Sequence, residues 1–63
     1  MIAGQTYPVT DGIFKWEDVV FLSTFMDESE EGKKSLKYHC KRIPPYQSGL
    51  DNTFVNLQAY ELQ

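Results

Sequence analysis

The chain has 63 residues and a net charge of −3, and it is 41% hydrophobic and 14% aromatic. This length allows one domain, 1–63, because domains typically have at least about 50 residues. The composition is too apolar for intrinsic disorder, and the apolar runs are too short for a transmembrane helix. So short a chain seldom encloses a catalytic cleft of roughly 300 Å³. We therefore expect a small binding domain that is not an enzyme.

Cysteine and histidine each occur once, as Cys40 and His39. A single cysteine excludes a disulfide within this chain, and a four-ligand zinc site lacks soft ligands. The lone thiol, together with a start that has no basic region and no long apolar run, is typical of a cytoplasmic protein. We expect no cofactor, no metal and no contact with a membrane.

Turn residues divide the chain into four apolar segments, and the first two predict strands. The first segment, 2–9, ends at the turn 10–12. Pro8 lacks a backbone donor, which restricts this strand to an edge or a bulge. The second segment, 13–26, contains the stretch 19–25, whose β-branched and aromatic residues favour a strand.

The third segment, 35–43, alternates between apolar and basic or polar residues. The two alternating sets are Leu36, Tyr38 and Cys40 against Lys37, His39 and Lys41. This period of two predicts a strand with one solvent-exposed face. A helix over 33–43 is the alternative, because Leu36, Cys40 and Ile43 also have helical spacing and Pro44 would end the helix.

The fourth segment predicts a strand over 53–57, followed by a turn that brings Tyr60 or Leu62 onto the core. Four or five short strands in so few residues indicate an all-β fold, a small closed or half-closed barrel that removes the unpaired sheet edges of a free hairpin. The alternative fold class is α+β, with the helix at 33–43.

The opening Gly-Gln-Thr-Tyr-Pro-Val-Thr-Asp-Gly-Ile-Phe-Lys, residues 4–15, resembles the first strand and loop of small SH3-like barrels of the KOW and Tudor-like types. The resemblance implies a small SH3-like barrel in which 58–62 is the short closing turn. KOW-like motifs prefer a glycine where this chain has Trp16. Small acidic domains of this kind also resemble accessory proteins of bacteriophages and mobile elements, many of which bind and block one host protein.

Charge is segregated along the chain. Residues 16–32 contain six acids and no base, whereas residues 33–42 contain five bases and no acid. Two attracting arms of a hairpin would have this pattern. The acidic residues Asp27, Glu28, Glu30 and Glu31 also suit a surface that docks a charged partner or imitates nucleic-acid phosphates.

Basic and aromatic residues follow the acidic run. Lys37, His39 and Lys41 share one face of the predicted strand, and Arg42 and Tyr46 come just after it. Such a set can bind a phosphate backbone and stack a base.

Catalytic arrangements are not indicated. Cys40 and His39 are neighbours in a predicted strand and so face opposite sides, which prevents a nucleophile–base pair. We therefore predict a non-catalytic module that blocks or bridges a protein partner, with a nucleic-acid-binding barrel or an acidic nucleic-acid mimic as alternatives. The predicted contact residues are Trp16, Asp27, Glu28, Glu30, Glu31, Lys37, His39, Lys41, Arg42 and Tyr46.

Overall fold

The computed structural model describes residues 1–62 and shows a curled antiparallel half-barrel with the strand order β1-β2-β3-β4. The strands are β1 (Thr6–Pro8), β2 (Asp18–Glu28), β3 (Lys34–Ile43) and β4 (Phe54–Gln58), and a 3-10 closing turn (Ala59–Glu61) follows them. The predicted all-β class is confirmed, and the alternative helix over 33–43 is wrong. No helix within residues 1–62 is both long and apolar enough to cross a bilayer.

The alternation of β3 explains why the strand forms there. Tyr38 and Cys40 face the core, where the Tyr38 ring meets Phe21 of β2 edge-on at a centroid distance of 5.5 Å. A helix would have turned Tyr38 away from this contact. Leu22 is an extra residue in β2, because Phe21 pairs with Cys40 while Ser23 already pairs with His39.

The core lies inside the curl of the sheet and is built from both ends of the chain. It consists of Val9, Val19, Phe21, Cys40, Val55, Leu57 and Leu62. The closing turn brings Leu62 into this core, where it forms an isolated antiparallel β-bridge with Val9. Tyr60 remains exposed. Of the two residues predicted to return to the core, Leu62 is therefore the one that does.

Pro8 of the first strand and Gly12 of the turn that follows it both occupy positions that suit their residue types. Pro8 lies in β1, which is an edge strand, so its missing donor breaks no sheet hydrogen bond inside the barrel. Gly12 has a φ of +88° and lies so close to the Glu61 carboxylate that a Cβ would overlap it. A residue with a Cβ would be strained by this backbone and would have to displace the Glu61 carboxylate, so glycine suits the position. The loop 10–17 is joined to the closing turn by the hydrogen bond from Thr10 N–H to the Glu61 carbonyl.

The β2–β3 hairpin extends beyond the rest of the sheet. β1 pairs with β2 only as far as Val20, and β4 pairs with β3 only as far as Lys37. The remaining hairpin is a two-stranded arm in which Met26 and Leu36 pair across the strands and are both exposed. This arm carries the acidic residues at its tip.

Candidate binding surfaces

Arg42, which was predicted to contact a partner, is an interior residue with only 1% of its surface exposed. It lies two residues after Cys40 and therefore shares the core-facing side of β3. Its Nε and Nη2 donate to the two carboxylate oxygens of Glu17 at 2.6 and 2.8 Å. The prediction that Arg42 offers its charge to a ligand is wrong, because a buried carboxylate already occupies it.

The Glu17–Arg42 pair also holds the loop 44–53. The Arg42 Nη1 donates to the backbone oxygens of Leu50 and Asn52 at 3.0 and 2.7 Å. Glu17 Oε2 accepts the backbone N–H groups of Gln47 and Ser48 at 3.0 and 3.1 Å. We call the Glu17–Arg42 pair and the groups that it binds the ionic centre. Every buried side-chain nitrogen and oxygen in residues 1–62 has a hydrogen-bond partner, so the ionic centre leaves no buried polar atom unpaired.

Tyr46 belongs to the same centre. The Arg42 guanidinium lies 3.9 Å from the centroid of Tyr46 and 4.6 Å from that of Phe14. Cations are attracted to aromatic ring faces at such distances. Tyr46 was predicted to stack a nucleic-acid base, but it is half-buried and Arg42 covers one face of its ring. Its main visible role is to enclose the ionic centre.

The ionic centre keeps its charges over a wide pH range. The hydrogen bond from Arg42 lowers the pKa of Glu17 from 4.5 to about 2, although burial acts in the opposite direction. The same hydrogen bond raises the pKa of Arg42. Glu17 therefore stays ionised and has a structural role. It directly follows Trp16 in the sequence.

Trp16, one of the predicted contact residues, is 73% exposed and lies outside the core. Its backbone is left-handed, with a φ of +76°. For a residue other than glycine this conformation costs about 1–2 kcal/mol. The strain is maintained by hydrogen bonds on both sides: Trp16 N–H donates to the Val9 carbonyl and Val9 N–H donates to the Glu17 carbonyl, each at 2.8 Å.

Three of the predicted contact residues of β3, Lys37, His39 and Lys41, lie on the outer face of the sheet, away from the core. The His39 ring stacks on Phe54 of β4 with centroids 5.5 Å apart and planes inclined by 13°. His39 Nδ1 also lies 2.9 Å from Asn56 Oδ1. Phe25 of β2 pairs directly with Lys37 and so joins the same face. Neither phenylalanine was among the predicted contact residues.

The predicted acidic residues lie at the end of the hairpin arm. Glu28 pairs with Lys34, and the turn closes through a hydrogen bond from Ser29 N–H to the Lys33 carbonyl at 2.8 Å. Glu31 and Lys33 form an exposed ion pair at 3.7 Å. Since β2 rises about 3.3 Å per residue, this tip is about 30 Å from the Trp16 end of the strand. The predicted contact residues therefore lie in four separate places: the loop of Trp16, the ionic centre, the outer face of the sheet and the hairpin tip.

Cys40 and His39 lie on opposite sides of β3, so they form neither a metal-binding pair nor a nucleophile–base pair. In the described part of the chain, no three His, Cys, Asp or Glu side chains lie together as metal ligands would. Cys40 is fully buried, and burial raises its thiol pKa to about 11. It is a core residue whose Sγ lies 3.6 Å from the Tyr38 carbonyl oxygen.

Replacing Cys40 with serine is expected to lower the free energy of unfolding by about 1–3 kcal/mol, because the serine hydroxyl would lose its hydrogen bonds to water without gaining equally good ones in the core. Thermal melting followed by circular dichroism measures the loss, and Cys40→Ala separates lost volume from the buried hydroxyl. The native thiol should react slowly with a bulky thiol reagent. Rapid labelling of the folded protein would show that Cys40 is accessible.

Comparisons with known proteins gave no match: no family model fits the sequence, and neither a curated protein nor a solved structure was found to be similar to it.

Proposed function

We propose that this chain is a non-catalytic binding module, built as a small SH3-like barrel, that blocks or bridges a protein partner through Trp16. The observation that carries the proposal is the exposed indole on a left-handed backbone. Neither hydrophobic burial nor backbone preference accounts for tryptophan at this position. Tryptophan is among the residues that most often dominate protein–protein binding energy, and strained residues cluster at binding sites.

The backbone that carries Trp16 is held in place, which favours a role as an anchor. Glu17 is fixed by the ionic centre, and the hydrogen bonds with Val9 hold the other side. A side chain on a preorganised backbone loses less conformational entropy when it binds. Lys15 Nζ lies 4.9 Å from the centroid of the indole ring and gives this apolar surface a charged margin.

Other apolar residues near the same loop extend the proposed surface. Ile13 and Tyr60 are 72% and 70% exposed. The loop of Ile13 is joined to the closing turn of Tyr60 by a hydrogen bond from Thr10 N–H to the Glu61 carbonyl at 2.7 Å. An anchor with exposed apolar neighbours is the arrangement expected for a protein-binding hot spot.

The proposal is tested by affinity capture from a cell lysate, with the wild-type chain and the Trp16→Gly variant each immobilised. Phe54→Ala is the matched control, because it removes an exposed aromatic ring from the outer sheet face instead. A captured protein must then be purified and must bind the wild-type chain directly. The proposal requires that this binding survive in Phe54→Ala and be lost in Trp16→Gly. Equal binding to the wild-type chain and Trp16→Gly would contradict it.

The acidic tip provides a separate prediction about the association rate. Changing Asp27 to Asn and Glu28, Glu30 and Glu31 to Gln should alter the melting temperature little, because exposed ion pairs contribute about 0–1 kcal/mol each. If the tip attracts a basic partner, the association rate at low salt should fall, since long-range attraction acts mainly on that rate. An unchanged rate by surface plasmon resonance would identify the tip as a solvated hairpin end.

A further inference from the structure

The outer face of the sheet brings three rings and two lysines together from three strands. The cross-strand rows are Phe25-Lys37-Gln58, Ser23-His39-Asn56 and Val20-Lys41-Phe54. We call the set Phe25, Lys37, His39, Lys41 and Phe54 the outer-face cluster. Val55 and Leu57 point into the core from β4, which leaves Phe54 and Asn56 on the outer side. The cluster is therefore separate from the ionic centre and the core.

The rings of the cluster retain open surface. Phe54 is 52% exposed although it already stacks on His39, and Phe25 is 38% exposed. The His39–Asn56 hydrogen bond fixes one edge of the imidazole ring and so holds the stacked pair in orientation. Preformed flat rings on a sheet are the platform on which proteins stack nucleic-acid bases.

The charges of the cluster select an anionic ligand. Lys37 and Lys41 lie on either side of His39 along β3, and the three cross-strand rows contain no acid. The local charge of these three rows is positive although the net charge is −3. The nearest acids on the same face are Asp18 and Asp27, each one row beyond an end of the cluster. A ligand that supplies both negative charge and flat rings complements the cluster best.

We propose that the outer-face cluster binds a single-stranded polynucleotide, with bases stacked on the exposed rings and phosphates near the two lysines. A single strand is required because the bases of a duplex are stacked on one another and hide their faces. Stacking and charge do not read the sugar, so RNA and DNA should bind alike. This site is independent of the proposed protein contact at Trp16.

The test is a fluorescence-anisotropy titration of the purified chain with labelled oligo(dT), oligo(U) and a duplex of equal length at 50 mM salt. We expect both single strands to bind with affinities within about threefold of each other and the duplex to bind more weakly. With two phosphates neutralised, the logarithmic salt slope should be about −1.4. Raising the salt to 200 mM should then weaken binding about sevenfold.

The variants test each part of the cluster. Phe54→Ala should weaken oligonucleotide binding about tenfold or more, and Phe54→Leu should do the same while it keeps an apolar contact with His39. Lys37→Gln with Lys41→Gln should remove most of the salt dependence. Trp16→Gly should bind oligonucleotides as the wild type does, which separates this proposal from that of the protein contact.

Three results would overturn the inference: no binding of either single strand at 50 mM salt, equal affinity for the duplex, or unchanged binding by a folded Phe54→Leu variant. Loss of a captured protein in the Phe54 variants, without any oligonucleotide binding by the wild type, would reassign the outer-face cluster to a protein partner.

Discussion

Replacing Glu17 with alanine is expected to unfold much of the chain at 25 °C. The change leaves the Arg42 guanidinium in the interior without its carboxylate, and breaking one side of a buried ion pair typically destabilises a protein by about 3–5 kcal/mol. The whole domain is expected to have only about 3–9 kcal/mol of stability, at about 0.05–0.15 kcal/mol per residue. Urea denaturation followed by circular dichroism measures the loss.

Asp18→Ala is the matched control for Glu17→Ala, because Asp18 is the adjacent carboxylate but is exposed. It should change the free energy of unfolding by less than about 0.5 kcal/mol. The assignment of Glu17 as the anchor of the loops fails if the two alanine variants are equally stable.

The same ion pair predicts how stability depends on acid. The folded pKa of Glu17, about 2, lies below its ordinary value of 4.5, so folding favours the charged carboxylate. This contribution is fully present above pH 4.5 and is lost as the pH falls towards 2. The decrease in the free energy of unfolding between pH 4.5 and 2 should be smaller in Glu17→Gln than in the wild type. A stability profile of the wild type that is flat between pH 4.5 and 2 would contradict this account.

Trp16→Gly is expected to weaken partner binding strongly without destabilising the chain. Glycine adopts the left-handed backbone freely, which removes about 1–2 kcal/mol of strain, and its greater freedom in the unfolded chain offsets about 0.5–1 kcal/mol of this gain. The melting temperature should therefore stay the same or rise by a few degrees. The loss of an interface anchor should weaken binding by about 2 kcal/mol or more.

Trp16→Ala separates the indole from the backbone strain. Alanine lacks the indole but keeps the strained conformation, so it should bind as poorly as glycine while melting below Trp16→Gly. If Trp16 instead supported the core, both variants would unfold readily, with losses of about 3–5 kcal/mol. Melting curves measured beside binding isotherms distinguish the two cases.

The sequence predicted the second, third and fourth strands well because their residue patterns are local, whereas the first strand covers only Thr6–Pro8 of the predicted segment 2–9. The alternation from Leu36 to Lys41 is a period-two pattern, and it placed the basic residues on one face and Cys40 on the other, as the structure has them. The third and fourth strands were predicted to within about two residues of their observed ends. The second strand continues to Glu28, three residues beyond its predicted end, because pairing with Lys34 extends the hairpin.

The ionic centre could have been predicted from the same alternation. Extending the core-facing positions of β3 from Cys40 reaches Arg42, and extending those of β2 back from Val19 reaches Glu17. Two opposite charges on one inward face indicate a buried ion pair. The sequence prediction instead placed Arg42 with its exposed basic neighbours. A count of charges along a segment does not show which face of the strand each residue occupies.

Other features depend on tertiary structure. Simple alternation would place Phe25 on the core face with Val19 and Phe21, but the extra residue Leu22 shifts it to the outer face. No local pattern reports such a bulge. The left-handed backbone of Trp16 is held by its hydrogen bond to Val9, seven residues earlier across the loop, and this irregular loop has no period that a sequence pattern would show.

The central claim, that Trp16 is an exposed anchor which a partner covers, is tested most directly by its own fluorescence. Trp16 is the one tryptophan of the chain, so the emission reports this residue alone. We expect the free protein to emit as a solvent-exposed indole and to be quenched strongly by acrylamide. Saturation with the captured partner, or with a version of it that lacks tryptophan, should shift the emission to the blue and protect it from quenching. Emission that is already protected in the free protein, or that stays unchanged at saturation, would contradict the claim.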